Sequence, residues 1–333
     1  MRIEWLDSLK GFAIFLVVVG HVVLGYIRAE TFMEYQWDLQ LIYDLIYSFH
    51  MPLFFLISGF LYKLTWSKKN TGISKKIANK FLNMVPMYLL FSLAFWFSKY
   101  YATLYGNIQM SDHFNFIDLI HIYIAPLSYL WFLYVLICLF IIIPLLESFI
   151  KPALVFLAFF LLYIFAPYVE GIFKIVNSII YGGVYFSLGS ILFFYSNYLK
   201  NNIDNKLIIV SFISIAIACC SFPFINDHNI FKFICAISVS AFLAIIFFRL
   251  RNYKFVSLWN TCGYYSLGIY ILHLYFTGPL RTIFKHLAID NIIIVLILSS
   301  IIGTLAPIFI VKFFDRYKVT SWIFGETKLI KLE

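Results

Sequence analysis

Lys10 and His21 are separated by the ten residues of the apolar stretch GFAIFLVVVG, and a second histidine, His50, interrupts another such stretch, SFHMPLFFLISGFLY. An imidazole has an unperturbed pKa of about 6.5, so it is available in its neutral form at physiological pH. A positioned imidazole that takes the proton from a hydroxyl nucleophile contributes on the order of 10² to 10⁴ in rate. Eleven helical residues make close to three turns, so Lys10 and His21 point from nearly one face, about 16 Å apart along the axis. His50 lies about 19 Å from Lys63 on a helix of opposite direction, which sets the two imidazoles at similar depth. A third imidazole occurs in GYYSLGIYILHLYF, where Tyr270 and His273 are three apart and share a helix face. That segment runs outward, so His273 lies nearer the outer half.

The elements that must position these residues follow from composition. The chain has 333 residues, is 63% hydrophobic and 21% aromatic, and only 12% of it is charged, with a mean hydropathy of +0.91. A soluble domain carries about 25% charged residues, so an ordinary water-soluble enzyme, a disordered chain and a disulfide-stapled miniprotein are excluded. A spanning helix needs about 20 mostly apolar residues. Ten such segments are expected, at 9–27, 39–62, 81–98, 128–147, 152–168, 177–195, 207–224, 231–248, 258–277 and 291–311. The fold class is therefore all-α and polytopic. The first segment has a charged start like a signal peptide, yet no small-residue cleavage site follows, and it is expected to be retained. Pro52 and Ser58-Gly59 predict a kinked second span lining a wet pocket.

Charge orients the bundle. With the N-terminus inside, nineteen of the 25 basic residues face the cytoplasm and six face outward, so N-in and C-in is expected. This bias accounts for the net charge of +9 without nucleic acid. Six lysines fall between Lys63 and Lys80, a loop suited to an anionic cofactor or lipid headgroup, although topology sorting alone places lysines there. No repeat, linker or low-complexity tail divides the chain, and residues 1–333 read as one domain. Cys138, Cys219, Cys220 and Cys235 lie in apolar runs with no CxxC spacing, so neither a redox motif nor a metal site is indicated.

Each polar residue also has a bland reading. His21 and His50 could hydrogen-bond to each other or to a neighbouring Ser or Tyr as packing groups, and His273 could be a core or interfacial histidine. Trp131 opens a WFLY run that suits packing or an interfacial belt as well as a substrate platform. Asp7 could cap the first helix or pair with Lys10.

The stretches RIEWLDSLKGFAIFLVVVGH, FHMPLFFLISGFLY, VPMYLLF, LWFLYVLI and YSLGIYILH resemble, in order and spacing, the acyltransferase-3 family of bacterial integral-membrane acyltransferases. Lys10 and His21 meet the family's motif of a basic residue, ten residues and a histidine. The resemblance implies a catalytic His21, and a basic residue and basic second cytoplasmic loop that serve the acyl donor. Where members often carry arginines before the proline of the third span, this chain has NKFLNMVP, which offers Lys80 and Asn83. Stand-alone members resemble O-acetyltransferases of capsular, exopolysaccharide or lipopolysaccharide sugars. The expectation is thus a multi-pass enzyme of the bacterial cytoplasmic membrane, with acetyl-CoA as donor and a glycan or lipid-linked sugar as acceptor. His21 is expected as general base and His50 as its orienting or oxyanion-stabilising partner. Lys10, Lys76 and Lys80 are expected at the donor, and Trp131, Tyr270 and His273 at the acceptor. The competing class is a transporter or flippase of lipid-linked sugars with His21 and His50 as a proton relay.

Overall fold

The computed structural model describes residues 3–67, 71–105, 119, 122–196, 209, 211–213, 215–217 and 229–315. Most of the expected span at 207–224, with Cys219 and Cys220, and Lys68 and Lys69 of the basic loop lie outside the described residues. Hydrocarbon cannot hydrogen-bond to backbone, so an apolar chain in lipid satisfies its amides within helices. Among the described residues there are eleven α-helices and no strand. They are α1 (Glu4–Arg28), α2 (Gln36–Tyr47), α3 (His50–Ser67), α4 (Ile73–Tyr105), α5 (Trp131–Phe149), α6 (Pro152–Phe165), α7 (Ile175–Phe194), α8 (Asn229–Arg249), α9 (Lys254–Tyr264), α10 (Ser266–His286) and α11 (Ile292–Asp315). Seven helical segments are long and apolar enough to cross a membrane. Bulky apolar side chains such as Phe165, 77% exposed, and Phe309, 68% exposed, stand on the outside, where lipid rather than water is their solvent. The protein is an all-α polytopic membrane protein.

The chain divides into two compact units, one holding residues 3–57 with the described residues from 196 onward, the other holding Ser58–Tyr195. In the first unit, α1 is the common partner of α2, α8, α9, α10 and α11. Close approach depends on missing side chains, as expected where lipid gives no hydrophobic drive between helices. A Cβ on Gly11 would strike the Trp259 carbonyl of α9, and one on Gly263 would strike the Asp7 carbonyl of α1. Gly303 of α11 leaves room for Thr277 of α10 and Val18 of α1. In the second unit, Gly183 of α7 sits under the Phe159 ring of α6, and Gly59 of α3 sits on the Phe186 carbonyl of α7.

Four expected elements differ from the structure. The span at 39–62 is two helices, α2 and α3, separated at Ser48 and Phe49. Pro52 does not kink a continuous helix; it lies in the first turn of α3, where its missing N–H has no intrahelical partner to lose. Nor is Gly59 a hinge, since it is a packing contact. The span at 258–277 is also two helices, because α9 is bound to α1, partly through a Ser8–Asn260 hydrogen bond of 2.6 Å, while α10 packs on α11 through Gly268 and Val311. Tyr265 turns the chain between them with φ −90° and ψ 14°. The span at 152–168 ends at Phe165 because Ala166 precedes a proline and is held extended, at ψ 138°. Its 14 residues reach about 21 Å, short of the roughly 30 Å hydrocarbon core. Finally, α4 begins at Ile73, so Lys75, Lys76 and Lys80 are helical rather than part of a loop. Lys76 and Lys80, four apart, share one face.

Candidate active site

In the first unit, α1 carries His21 to a point where the His273 ring of α10 lies 5.1 Å away between centroids, tilted by 43°. Tyr47, the last residue of α2, has its ring 6.2 Å from that of His21 and 4.6 Å from that of His50. Tyr43, one turn earlier, packs on Tyr47 at 3.9 Å. Three imidazoles and two phenols thus gather at the C-terminal half of α1.

Local structure fixes two of the imidazoles. The carbonyl of Ile46, near the end of α2, accepts from the Phe49 N–H at 3.4 Å, and His50 Nδ1 lies 2.6 Å from it. His273 Nδ1 lies 2.7 Å from the Tyr270 carbonyl and 3.0 Å from that of Ile269. A carbonyl only accepts, so the network assigns the proton of each ring to Nδ1, and in the neutral ring Nε2 then carries the lone pair. His50 and His273 are buried, at 1% and 0% exposure, whereas His21 is partly exposed. Of the three, His21 is the least buried residue, and the other two rings are held in one orientation by the backbone. A ring so placed can accept a proton from a hydroxyl, with neighbours of fixed polarity beside the charge that develops.

The remaining expected residues fall as follows. Lys10 pairs with Asp7 at 3.4 Å, one turn away on α1, with side chains 23% and 18% exposed; this settles the place of Asp7, since the helix N-cap is Ile3. In the second unit, Lys76 Nζ donates to the Trp66 carbonyl at 2.8 Å and lies 5.9 Å from the Trp66 ring. Lys80 Nζ lies 4.6 Å from the centre of the Phe140 ring. Ammonium groups held on aromatic faces suit a ligand that combines phosphates with a flat base. Tyr270 is buried and contributes its carbonyl to His273. Trp131 opens α5, with its ring 6.4 Å from that of Phe132. The structure thus brings together His21, His50, Tyr270 and His273 in the first unit, and Lys76 and Lys80 in the second.

Sequence reasoning passed over Tyr47, Glu147 and Arg281. Tyr47 had a weak signal, three residues before His50. Glu147 had a stronger one, as the only carboxylate between Trp131 and Ile150. Its carboxylate pairs with Lys63 and accepts from the hydroxyls of Tyr62 at 3.0 Å and Ser190 at 2.6 Å. Arg281 donates to the Gly25 carbonyl. Among the described residues, no group of three or more His, Cys, Asp or Glu side chains is placed to hold a metal ion.

No curated protein and no solved structure matches the chain. The family model of the acyltransferase-3 acyltransferase domain matches residues 3–312, from the residue before α1 to the last turn of α11. That span takes in every helix that bears a candidate residue, and the chain belongs to the acyltransferase-3 family: it is a multi-pass membrane acyltransferase.

Proposed function

We propose that the protein transfers an acetyl group from cytoplasmic acetyl-CoA to a hydroxyl of a surface-glycan sugar, in the bacterial cytoplasmic membrane and with both termini inside. The reading rests on one observation above others. The His21 ring stands among His273, Tyr47 and His50, inside helices whose apolar composition should not tolerate ionisable groups without a use. His21 takes the hydroxyl proton as the sugar oxygen attacks the thioester carbonyl. The carbon–sulfur bond then breaks, and the imidazolium returns its proton to the departing thiolate, so the ring ends as it began. His273 and His50 hold their polarity fixed beside that cycle. In this reading Lys10 of the first unit and Lys76 and Lys80 of the second serve the phosphates of the donor, and Tyr270, His273 and Trp131 serve the acceptor.

A mid-depth base also resolves a matter of access. The donor is made inside and the acceptor is finished outside; about 16 Å of helix separates Lys10 from His21, a length that a pantetheine arm spans without the nucleotide crossing. The test is acetyl transfer from radiolabelled acetyl-CoA by purified protein in detergent, with no ion gradient. Wild-type protein consumes the label and His21→Ala loses at least about a hundredfold in kcat. Wild-type rates in His21→Ala would refute the role of His21, and no consumption without a gradient would favour a transporter.

A further inference from the structure

Beyond His21, toward the C-terminal ends of α1 and α10, lies a cavity of about 410 Å³, within the roughly 300–1,000 Å³ of small-molecule sites. Tyr26, Phe32 and Phe284 form its apolar walls, with Tyr26 and Phe32 packed at 5.6 Å. Its inner lining includes Arg281, which is partly buried, while Glu34, Lys285 and Asp290 are exposed at the rim. The guanidinium donates one hydrogen bond, to the Gly25 carbonyl. Among the described residues Arg281 forms no ion pair, and of the five N–H donors of an arginine the rest have no partner there. Gly25 makes the arrangement possible, because a Cβ at that position would come within 2.8 Å of Arg281 Nη1.

A guanidinium withdrawn from bulk water and given no carboxylate is an anion site, and its planar fork matches a carboxylate or phosphate oxygen pair. The rim charges, two carboxylates and one ammonium, are exposed and screened by solvent. Arg281 is the more withdrawn charge, since it is partly buried. Gly25 follows His21 by one turn, about 6 Å along α1, which is about the width of one sugar ring. Aromatic walls beside a fixed cation, on the helix that carries His21, suit a sugar that carries an acidic group.

We propose that this cavity binds the acceptor, and that the acceptor bears a carboxylate or phosphate which Arg281 recognises on the sugar that receives the acyl group or on its neighbour. The proposal rests on the acyltransferase reading above and adds to it the class of acceptor and the residue that selects it.

The test uses full-length protein in detergent with three probes: methyl β-D-glucoside, methyl β-D-glucuronide and glucose 1-phosphate. Transfer from labelled acetyl-CoA and protection against thermal unfolding are both read. Wild-type protein is expected to prefer an acidic probe over the glucoside on the order of ten- to a hundredfold, the range of a charged hydrogen bond, and to be stabilised by it. The choice between glucuronide and phosphate tells which acid the natural acceptor carries. Arg281→Gln removes the preference, and Arg281→Lys retains part of it. A role confined to capping α1 would lower transfer to all three probes alike and leave their ratio unchanged. Equal transfer and equal protection by all three probes would overturn the anion site alone. Selective protection by an acidic probe with no transfer to any of them would overturn the acyltransferase reading and leave the anion site standing.

Discussion

Removing the carboxylate of Glu147 strands three donors at once in the second unit: the Lys63 ammonium, the Tyr62 hydroxyl at 3.0 Å and the Ser190 hydroxyl at 2.6 Å. The Glu147 side chain is 3% exposed and that of Lys63 18%, so little water is at hand to replace the lost partner. Breaking a buried pair by deleting one member destabilises by about 3–5 kcal/mol. Hydrogen bonds between membrane helices average only about 0.6 kcal/mol each, so the two hydroxyls together add about 1 kcal/mol. Glu147→Ala should therefore lose about 4–6 kcal/mol. Glu147→Gln keeps an acceptor for a hydroxyl and should lose about 3 kcal/mol, most of it the unpaired ammonium. The combination Lys63→Met with Glu147→Leu replaces the pair by apolar groups of similar volume and should return to within about 2 kcal/mol of wild type. The assay is reversible unfolding of full-length protein in mixed micelles, followed by tryptophan fluorescence, with the coupling read from the double-mutant cycle. A Glu147→Ala protein within about 1 kcal/mol of wild type, or a double variant as damaged as the sum of its parts, would refute the view that this carboxylate clamps α3, α5 and α7 together.

Two further outcomes follow from geometry. His273→Asn keeps a side-chain N–H for the Tyr270 carbonyl but withdraws the ring from His21; kcat should fall about ten- to a hundredfold with melting temperature and donor KM unchanged, and an unchanged kcat would reduce His273 to packing. Gly263→Ala drives a methyl group into the Asp7 carbonyl and should destabilise by about 1–3 kcal/mol, whereas Gly278→Ala, with nothing within 4 Å of the added carbon, should be neutral or stabilise by up to about 1 kcal/mol; equal effects at both positions, measured by thermal unfolding in detergent, would contradict the α1–α9 contact.

The helical, membrane-crossing class was legible because hydrocarbon leaves an apolar chain one local solution. Helix ends were legible where a single residue decides them, as Pro167 could have decided the end of α6 through Ala166. The breaks at Ser48–Phe49 and at Tyr265 were not, since nothing in the local pattern forbids a continuous helix there. They exist because successive segments serve different partners: α9 is tied to α1 through Gly263 and Ser8, and α10 to α11 through Gly268. A choice of partner is a long-range property, and apolar periodicity does not encode it. The same limit applies to Pro52, whose meaning changes from kink to helix start once the break ahead of it is known.

The chemical residues divide along similar lines. His21 stands out in the sequence because an ionisable group in a span is expensive wherever it points, which makes it a candidate. The company it keeps was legible only in part. Depth arithmetic along straight helices matched His21 with His50, yet the ring 5.1 Å from His21 belongs to His273, and Tyr47 stands beside both His21 and His50. Rise per residue measures height on one axis and says nothing of which helix is adjacent. The break at Tyr265 frees α10 from the direction of α9, and the glycines of α1, α9 and α11 let it approach α1. Those same small residues, unremarkable as sequence, set where the third imidazole and Arg281 stand. Substitution at Gly25, whose added carbon would crowd the guanidinium, should therefore alter acceptor choice while leaving every ionisable group in place.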